Sequence, residues 1–294
     1  MILVTGATGQ FGSKAIEHLI SKKVNPTQII AMVRDKAKAK SLLDKGIQVR
    51  VGDYTDVDSL VHAFQGVDKL LLVSSSDRGP VGNRTTQHIN AIKAAQAAQV
   101  KHITYTSFIR KVDYTHSAIA AFQQSHVDSE AFLKNSGVAY TILQNGMYQE
   151  MIPVFAGQQV GQTGLIFFPA GAGQASYVLR EELAEAAAHV LTTDGHLNQV
   201  YQLTNTASVS FYEIARDLAH VLGKEVTYQS PSVNEFEARL KSGGVPDQYI
   251  GMFTMWAMAL SQATMDVDDP TLAKMLGRKP TSVQQFLHHA YGTN

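Results

Sequence analysis

The first twelve residues, Met1-Ile-Leu-Val-Thr-Gly-Ala-Thr-Gly-Gln-Phe-Gly12, constrain the fold more than any other segment of the chain. A short apolar run ends in Thr5. Glycine then recurs at Gly6, Gly9 and Gly12, and a segment of helical periodicity follows. Glycine permits a tight turn and lets the backbone approach a ligand with no Cβ in the way. A helix that starts near Gln10 aims unpaired N–H groups and the positive end of its dipole at an anion. Strand, glycine turn and helix in that order make a βαβ unit able to seat a dinucleotide pyrophosphate, with Gly6, Thr8, Gly9, Gln10, Phe11 and Gly12 around it. Such a turn can also merely pack a helix on a strand. A second strand, Gln28-Ile-Ile-Ala-Met-Val33, lies one βαβ unit further on and favours the phosphate reading.

That second strand ends in Arg34-Asp35. In a dinucleotide-binding sheet this point lies beside the adenosine ribose. An acid there bonds the 2′-hydroxyl of NAD, and an arginine pairs with the 2′-phosphate of NADP. Arg34 comes first out of the strand and assigns NADP. Asp35 is the competing reading, an NAD-type acid displaced by one position. Lys36 adds positive potential, whereas Lys38 and Lys40 read as the wet face of a helix.

The rest of the first half repeats a βα rhythm. Strands read at 1–5, 28–34, 47–51, 68–74, 101–106 and 138–143, and helices near 10–22, 36–45, 56–65, 83–98 and 115–136. Lys69-Leu-Leu-Leu-Val73 is a continuous apolar run, as parallel strands covered on both faces require. The pattern predicts an α/β fold, a Rossmann-like doubly wound parallel sheet, over residues 1–150. The second half reads as a smaller helix-rich C-terminal lobe over 151–294, some of whose segments return to the sheet. In it Arg180 to Leu191 reads as a helix and Val200–Leu203 as a short strand. Ser210 with Glu213 and Ser232 with Glu235 fit capping boxes.

Composition narrows the function. The 294 residues carry 25 basic and 25 acidic side chains and no cysteine. Zero net charge argues against nucleic acid or a membrane surface as partner. Without cysteine there is no disulfide, thiolate nucleophile or cysteine metal site. Adjacent His288-His289 lacks the spacing of a metal motif. No apolar run is long enough to span a bilayer, and no leader pattern precedes the first strand, so the expected location is the cytoplasm.

Thr5-Gly-Ala-Thr-Gly-Gln-Phe-Gly12, Arg34, Gly52-Asp53-Tyr54, Leu70-Leu-Leu-Val-Ser-Ser-Ser76, Tyr105-Thr-Ser107, His126 with Glu130, and Asn145-Gly146-Met-Tyr148 occur in order. Together they resemble the NmrA-like, atypical short-chain dehydrogenase/reductase family over essentially the whole chain. The resemblance implies that Gly6 to Gly12 hold the pyrophosphate and Arg34 the 2′-phosphate. It places Asp53 and Tyr54 near the adenine, Ser74, Ser75 and Ser76 near the ribose and pyrophosphate, and Thr106 and Ser107 beside the nicotinamide. Asn145 and Gly146 would meet the nicotinamide carboxamide, with Tyr148 lining the substrate pocket. Each has a plainer reading: Asp53 as a turn residue, the serines as loop. Members of the family often carry arginine before this Asn-Gly; here it is Gln144.

Ordinary short-chain dehydrogenases relay a proton through a tyrosine and a lysine four residues later. None of the 11 tyrosines here has a lysine at that spacing. Where many NmrA-like reductases carry lysine, this chain has His126, which either supplies a proton or is simply a core histidine. A quinone suits that lack, because its reduction leaves a phenolate-type anion whose conjugate acid titrates near about 10. The expected activity is therefore NADPH-dependent hydride transfer to a planar small-molecule acceptor such as a quinone. Reduction of triarylmethane or azo dyes on the same scaffold, and a non-catalytic NADP-binding redox sensor of NmrA type, are the alternatives. Flat acceptors need apolar walls, for which Phe108, Met147, Tyr148, Phe155, Phe168 and Tyr177 are candidates. Trp256 with Met252, Met255 and Met258 reads as core or as the surface of a homodimer.

Overall fold

In the computed structural model, residues 1–77, 79, 81–157 and 159–292 are described. The elements run β1 (Ile2–Val4), α1 (Gln10–Ser21), β2 (Ile29–Val33), α2 (Lys40–Leu43), β3 (Gln48–Val51), α3 (Val57–Phe64), β4 (Lys69–Leu72) and α4 (Val81–Ala97). They continue with β5 (His102–Phe108), α5 (Ala120–Lys134), β6 (Ala139–Asn145), β7 (Met147–Tyr148), α6 (Ile152–Ala156), α7 (Val160–Thr163), β8 (Leu165–Phe167), β9 (Gln174–Ala175) and β10 (Tyr177–Val178). Then come α8 (Arg180–Thr192), β11 (Gln199–Leu203), β12 (Val209–Ser210), α9 (Phe211–Leu222), β13 (Thr227–Gln229), α10 (Val233–Ser242), α11 (Asp247–Ser261), α12 (Thr271–Leu276) and α13 (Val283–Tyr291). The chain packs as two compact units. The first takes Met1–Phe108, Ala121–Asn145 and Arg180–Leu203; the second takes Ile109–Ala120, Gly146–Leu179 and the chain from Thr204 onward.

The first unit is a seven-stranded parallel sheet in the order β11-β6-β5-β4-β1-β2-β3. Its strands are apolar because both faces are covered; all five residues of β2 are buried. On one face Leu3, Ile30, Leu70 and Ile103 pack with Leu60 and Phe64 of α3, Ile92 of α4 and Leu133 of α5. Each such side chain contributes about 1.5–3 kcal/mol by burial. On the other face α1 buries Phe11, Ala15, Ile16 and Leu19 and packs on α8, whose Ala184, Ala186, Ala187 and Ala188 allow close approach. The chain leaves β1 toward β2 on one side and returns as β4 on the other. This reversal opens a crevice at the carboxyl ends of the strands, where ligands bind in such sheets.

Several elements differ in extent from the sequence pattern. β5 runs on to Phe108 and β6 to Asn145, because the two strands stay in register from His102↔Ala139 to Phe108↔Asn145. Thr106, Ser107 and Asn145 are therefore strand residues. The helix expected over 36–45 opens as a 3-10 turn, Lys36–Ala39, capped by Asp35, and closes as the single turn α2. α5 starts at Ala120 rather than at 115.

The second unit carries three short strand pairs, β7 with β10, β8 with β13 and β9 with β12, among helices α9 to α13. Both expected capping boxes form, at Ser210 with Glu213 and Ser232 with Glu235. Its core centres on Phe168, stacked on Phe155 at 5.1 Å and packed against Phe211 and Phe236. Among the described residues no helix is long and apolar enough to cross a membrane.

At the amino edge of the sheet, Asp68, Lys69, Lys101, His102 and residues 193–197 line a cavity of about 380 Å³. Its polar groups pair among themselves: Lys101 with Asp68, Lys69 with the Leu191 carbonyl, His196 with Thr193. His102 is 4% exposed. Thr141 gives its hydroxyl proton to the His196 carbonyl, so His102 Nε2–H donates to Thr141 Oγ1 at 2.8 Å. Burial, then the charge of Lys69, pushes this imidazole down to about 4. The unfolded chain binds that proton near about pH 6.5, so the stability His102 brings is present above about pH 6.5 and is lost as pH falls toward about 4. The loss is on the order of 3 kcal/mol. His102→Gln keeps an N–H for Thr141 and cannot titrate. Urea unfolding of this variant between about pH 7 and about pH 4.5 is expected to show a shallower decline than the parent chain. An equal decline in both would show that His102 is not the group responsible.

Candidate active site

The turn after β1 has the geometry an anion needs. Gly6 is left-handed, at φ +57°, and a Cβ at Gly12 would overlap the Gly6 carbonyl, so both positions demand glycine. The Gly9 amide donates to the Gly6 carbonyl at 2.9 Å and Gly9 caps α1. Among the described residues no side chain caps this helix, and no acid stands in its first turn, which leaves its leading N–H groups to a ligand. Gly6, Thr8, Gly9 and Gln10 are exposed at this point, whereas Phe11 is buried and can offer only its main chain.

The crevice continues to the end of β2. Here Arg34 and Asp35 differ in their hydrogen bonding. Asp35 accepts the Ala37 amide at 2.9 Å and caps the turn that follows. Arg34 is exposed and makes no hydrogen bond or ion pair among the described residues. Past β3, Asp53 accepts both the amide and the hydroxyl of Thr55, at 2.8 and 2.7 Å. These bonds, assisted by the charge of Arg34, hold its carboxyl below the usual carboxylate range. The Tyr54 hydroxyl donates to the Val73 carbonyl at 2.6 Å and lies against Thr5 Oγ1. Burial raises that phenol to a value of no use in acid–base work. Tyr54 thus acts as a strut between β1 and β4, and its hydroxyl is not available to an adenine.

Beyond β4, three successive amides are each taken by a side chain. Val73 N–H donates to Thr5 Oγ1 (2.9 Å), Ser74 N–H to Thr106 Oγ1 (2.8 Å), and Ser75 N–H to His88 Nε2 (2.8 Å). Ser75 is buried, its hydroxyl spent on Gln87, so it supports the turn from beneath. Ser74 is half-buried and Ser76 exposed.

At the ends of β5 and β6 the groups are deeper. Ser107 donates to the buried Glu130, whose two oxygens also take Gln144 Nε2 at 3.2 and 3.3 Å. Gln144, in place of the arginine often found there, is thus a hydrogen-bonding partner of Glu130. Asn145 is 1% exposed, yet among the described residues neither its amide nitrogen nor its oxygen has a partner. A buried amide left unpaired costs about 1–3 kcal/mol. An orphan donor and acceptor side by side match the complementary pair on a carboxamide.

Four candidate side chains prove to be core. His126, read from the sequence either as a proton donor or as a core histidine, is 1% exposed. Its Nδ1 lies 2.8 Å from the Tyr105 hydroxyl, its Nε2 3.3 Å from Arg84 Nη2, and Phe122 packs on its ring. It is a core histidine with both nitrogens engaged, and no direct catalytic role is assigned to it. Phe168 and Tyr177, each 1% exposed, and Met147, 3% exposed, are core of the second unit and present no wall to a ligand. Phe108 and Tyr148 are half-buried and keep surface. Pattern reasoning missed Thr5 and His88, which hold backbone amides, and Gln87, which holds the Ser75 and Asp77 side chains, because these partners are adjacent only after folding.

Comparison with known proteins gives the family. The NAD(P)H-binding family model matches residues 6–194. Quinone oxidoreductase 2 of Escherichia coli K12 is 39% identical over all of both chains. The crystal structure of the Escherichia coli NADPH-dependent quinone oxidoreductase in complex with NADPH superposes with a TM-score of 0.91, covering 99% of this chain and 100% of that one. Triphenylmethane reductase of Citrobacter sp., solved with NADP(H), is 36% identical with a TM-score of 0.90, covering 99% of this chain and 100% of that one. An NmrA-like oxidoreductase of Aspergillus flavus is 28% identical over 95% of this chain and 91% of that one. The chain belongs to the NAD(P)H-binding family.

Proposed function

We propose that this protein is a reductase that takes hydride from NADPH and passes it to a quinone. Bound NADPH would supply the hydride, and the chain's own residues bind, orient and leave one face open. The leading amides of α1, with Gly6, Thr8, Gly9 and Gln10, take the pyrophosphate; Arg34 takes the 2′-phosphate, Asp35 being occupied by its cap. Asp53, Ser74 and Ser76 flank the adenosine half and Thr106 and Ser107 the nicotinamide. The orphan amide of Asn145 pairs with the carboxamide. Phe108 at the end of β5 is the candidate wall for the acceptor on the first unit, and Tyr148 is the candidate wall that the second unit offers by itself.

One observation carries the choice of acceptor. Tyr105 and His126, the groups on β5 and α5 best suited to relay a proton, are buried and bonded to each other. The acceptor must therefore leave an anion stable enough to form without a positioned acid, which the phenolate from a quinone is and the alkoxide from a ketone is not. The likeness to quinone oxidoreductase 2 supports this class, and the likeness to triphenylmethane reductase supports cationic triaryl dyes as a second acceptor on the same site.

Loss of NADPH absorbance in the presence of para-benzoquinone, against an enzyme-free blank, tests the proposal. Enzyme-dependent consumption is the expected result. Tight NADPH binding without turnover across a panel of quinones and dyes would overturn it in favour of a sensor.

A further inference from the structure

His88 lies on α4, is fully buried, and has no place in the hydride transfer just described. Its contacts form an ordered chain. The Ser75 N–H can only donate, so His88 Nε2, 2.8 Å away, must be a lone pair. Its proton is then on Nδ1, which lies 2.9 Å from Ser129 Oγ and 3.1 Å from the Tyr105 hydroxyl. Ser129 spends its own hydrogen on the Ser125 carbonyl at 2.6 Å and so accepts from His88. Burial pushes this imidazole down to about 3, which keeps the lone pair in place throughout the neutral range. The neighbouring Gln87 takes the Ser75 hydroxyl and donates to Asp77 Oδ2 at 2.7 Å, and the Asp77 amide returns to Ser75 Oγ at 3.0 Å.

The turn after β4 therefore has no strand ladder of its own. Three consecutive amides are held by three side chains from three elements: Thr5 beyond β1, Thr106 on β5 and His88 on α4. His88 holds the last of the three, where the chain turns away from the sheet. Without that acceptor the Ser75 amide is a buried orphan, and the turn relaxes to find another partner.

We infer that His88 is a positioning residue for the dinucleotide, acting through the Ser75 amide to set the course of the turn that carries Ser74 and Ser76. This inference rests on the reading that NADPH binds at the carboxyl edge of the sheet. His88→Leu keeps a buried apolar side chain and removes the acceptor; His88→Gln offers an oxygen at the reach of Nε2. For His88→Leu the dissociation constant for NADPH is expected to rise about ten-fold, the worth of one such bond, with kcat at saturating NADPH within about two-fold of the parent. His88→Gln is expected to recover most of the affinity. A merely structural role would move the melting temperature alone. An unchanged dissociation constant in folded His88→Leu, or equal loss in both variants, overturns the inference. A readout on the unmodified protein covers failure of His88→Leu to fold: nitrogen-15 histidine spectra should show His88 neutral with its proton on Nδ1, and a proton on Nε2 overturns the assignment. If the parent binds NADPH but turns over no quinone, the acceptor reading fails while the affinity arm still decides the role of His88. If the parent binds no NADPH, both fall.

Discussion

Arg34→Glu is expected to raise the KM for NADPH about 100-fold while leaving that for NADH within a few-fold, because it both removes a guanidinium–phosphate pair and opposes the phosphate with a like charge. A charge-assisted pair is worth about 1.5–3 kcal/mol, and each 1.4 kcal/mol is ten-fold. Arg34 stands first beyond β2 with its guanidinium committed to no other residue described, and its charge already reaches Asp53. The adjacent acid is turned to another task, Asp35 Oδ1 accepting the Ala37 amide at 2.9 Å. The matched control is Asp35→Ala, which should cost about 1 kcal/mol of stability as a lost cap and leave coenzyme preference alone. Steady-state kinetics with both coenzymes settle the matter. Should Asp35→Ala shift the NADPH/NADH ratio and Arg34→Glu not, the two residues have been assigned the wrong way round.

Asn145→Leu is expected to make the cofactor-free protein more stable by about 1–2 kcal/mol and the enzyme about 100-fold slower. The side chain is 1% exposed at the end of β6, opposite Phe108 on β5 and Leu203 on β11, with both polar atoms unpaired among the described residues. Leucine of nearly the same shape removes the desolvation penalty. It also removes the amide proposed to hold the carboxamide, so the transferring face is no longer positioned. Urea unfolding without coenzyme and turnover with saturating NADPH read the two effects separately. The stability gain should shrink when NADPH is present, since the parent then regains its missing bonds. A destabilised variant, or one with full turnover, would show that the amide already has a partner or lies away from the reacting end.

Local signals made much of this molecule legible. The glycine turn, the uncapped start of α1, the continuous apolar strands and both capping boxes depend on residues within a few positions of one another, and each could be read directly. Arg34 was legible for the same reason. The cap that Asp35 forms with the Ala37 amide was not, because that bond exists only once the turn has folded. Residues whose partners come from distant segments were read least well. A serine run looks like a phosphate loop until Ser75 is found buried on Gln87 and His88. His126 looks like a proton donor until Tyr105 and Arg84 close on it. Aromatics at 168 and 177 look like pocket walls until each proves to be core.

By itself the sequence determined that the chain forms a parallel sheet opening on a glycine turn, since backbone conformation and apolar periodicity are properties of neighbouring residues. Only the tertiary structure decided which polar groups remain for a ligand. Hydrogen bonds such as Thr5 to Val73 and His88 to Ser75 join residues brought together by packing alone, and they consume some side chains while leaving Arg34 and Asn145 unspent.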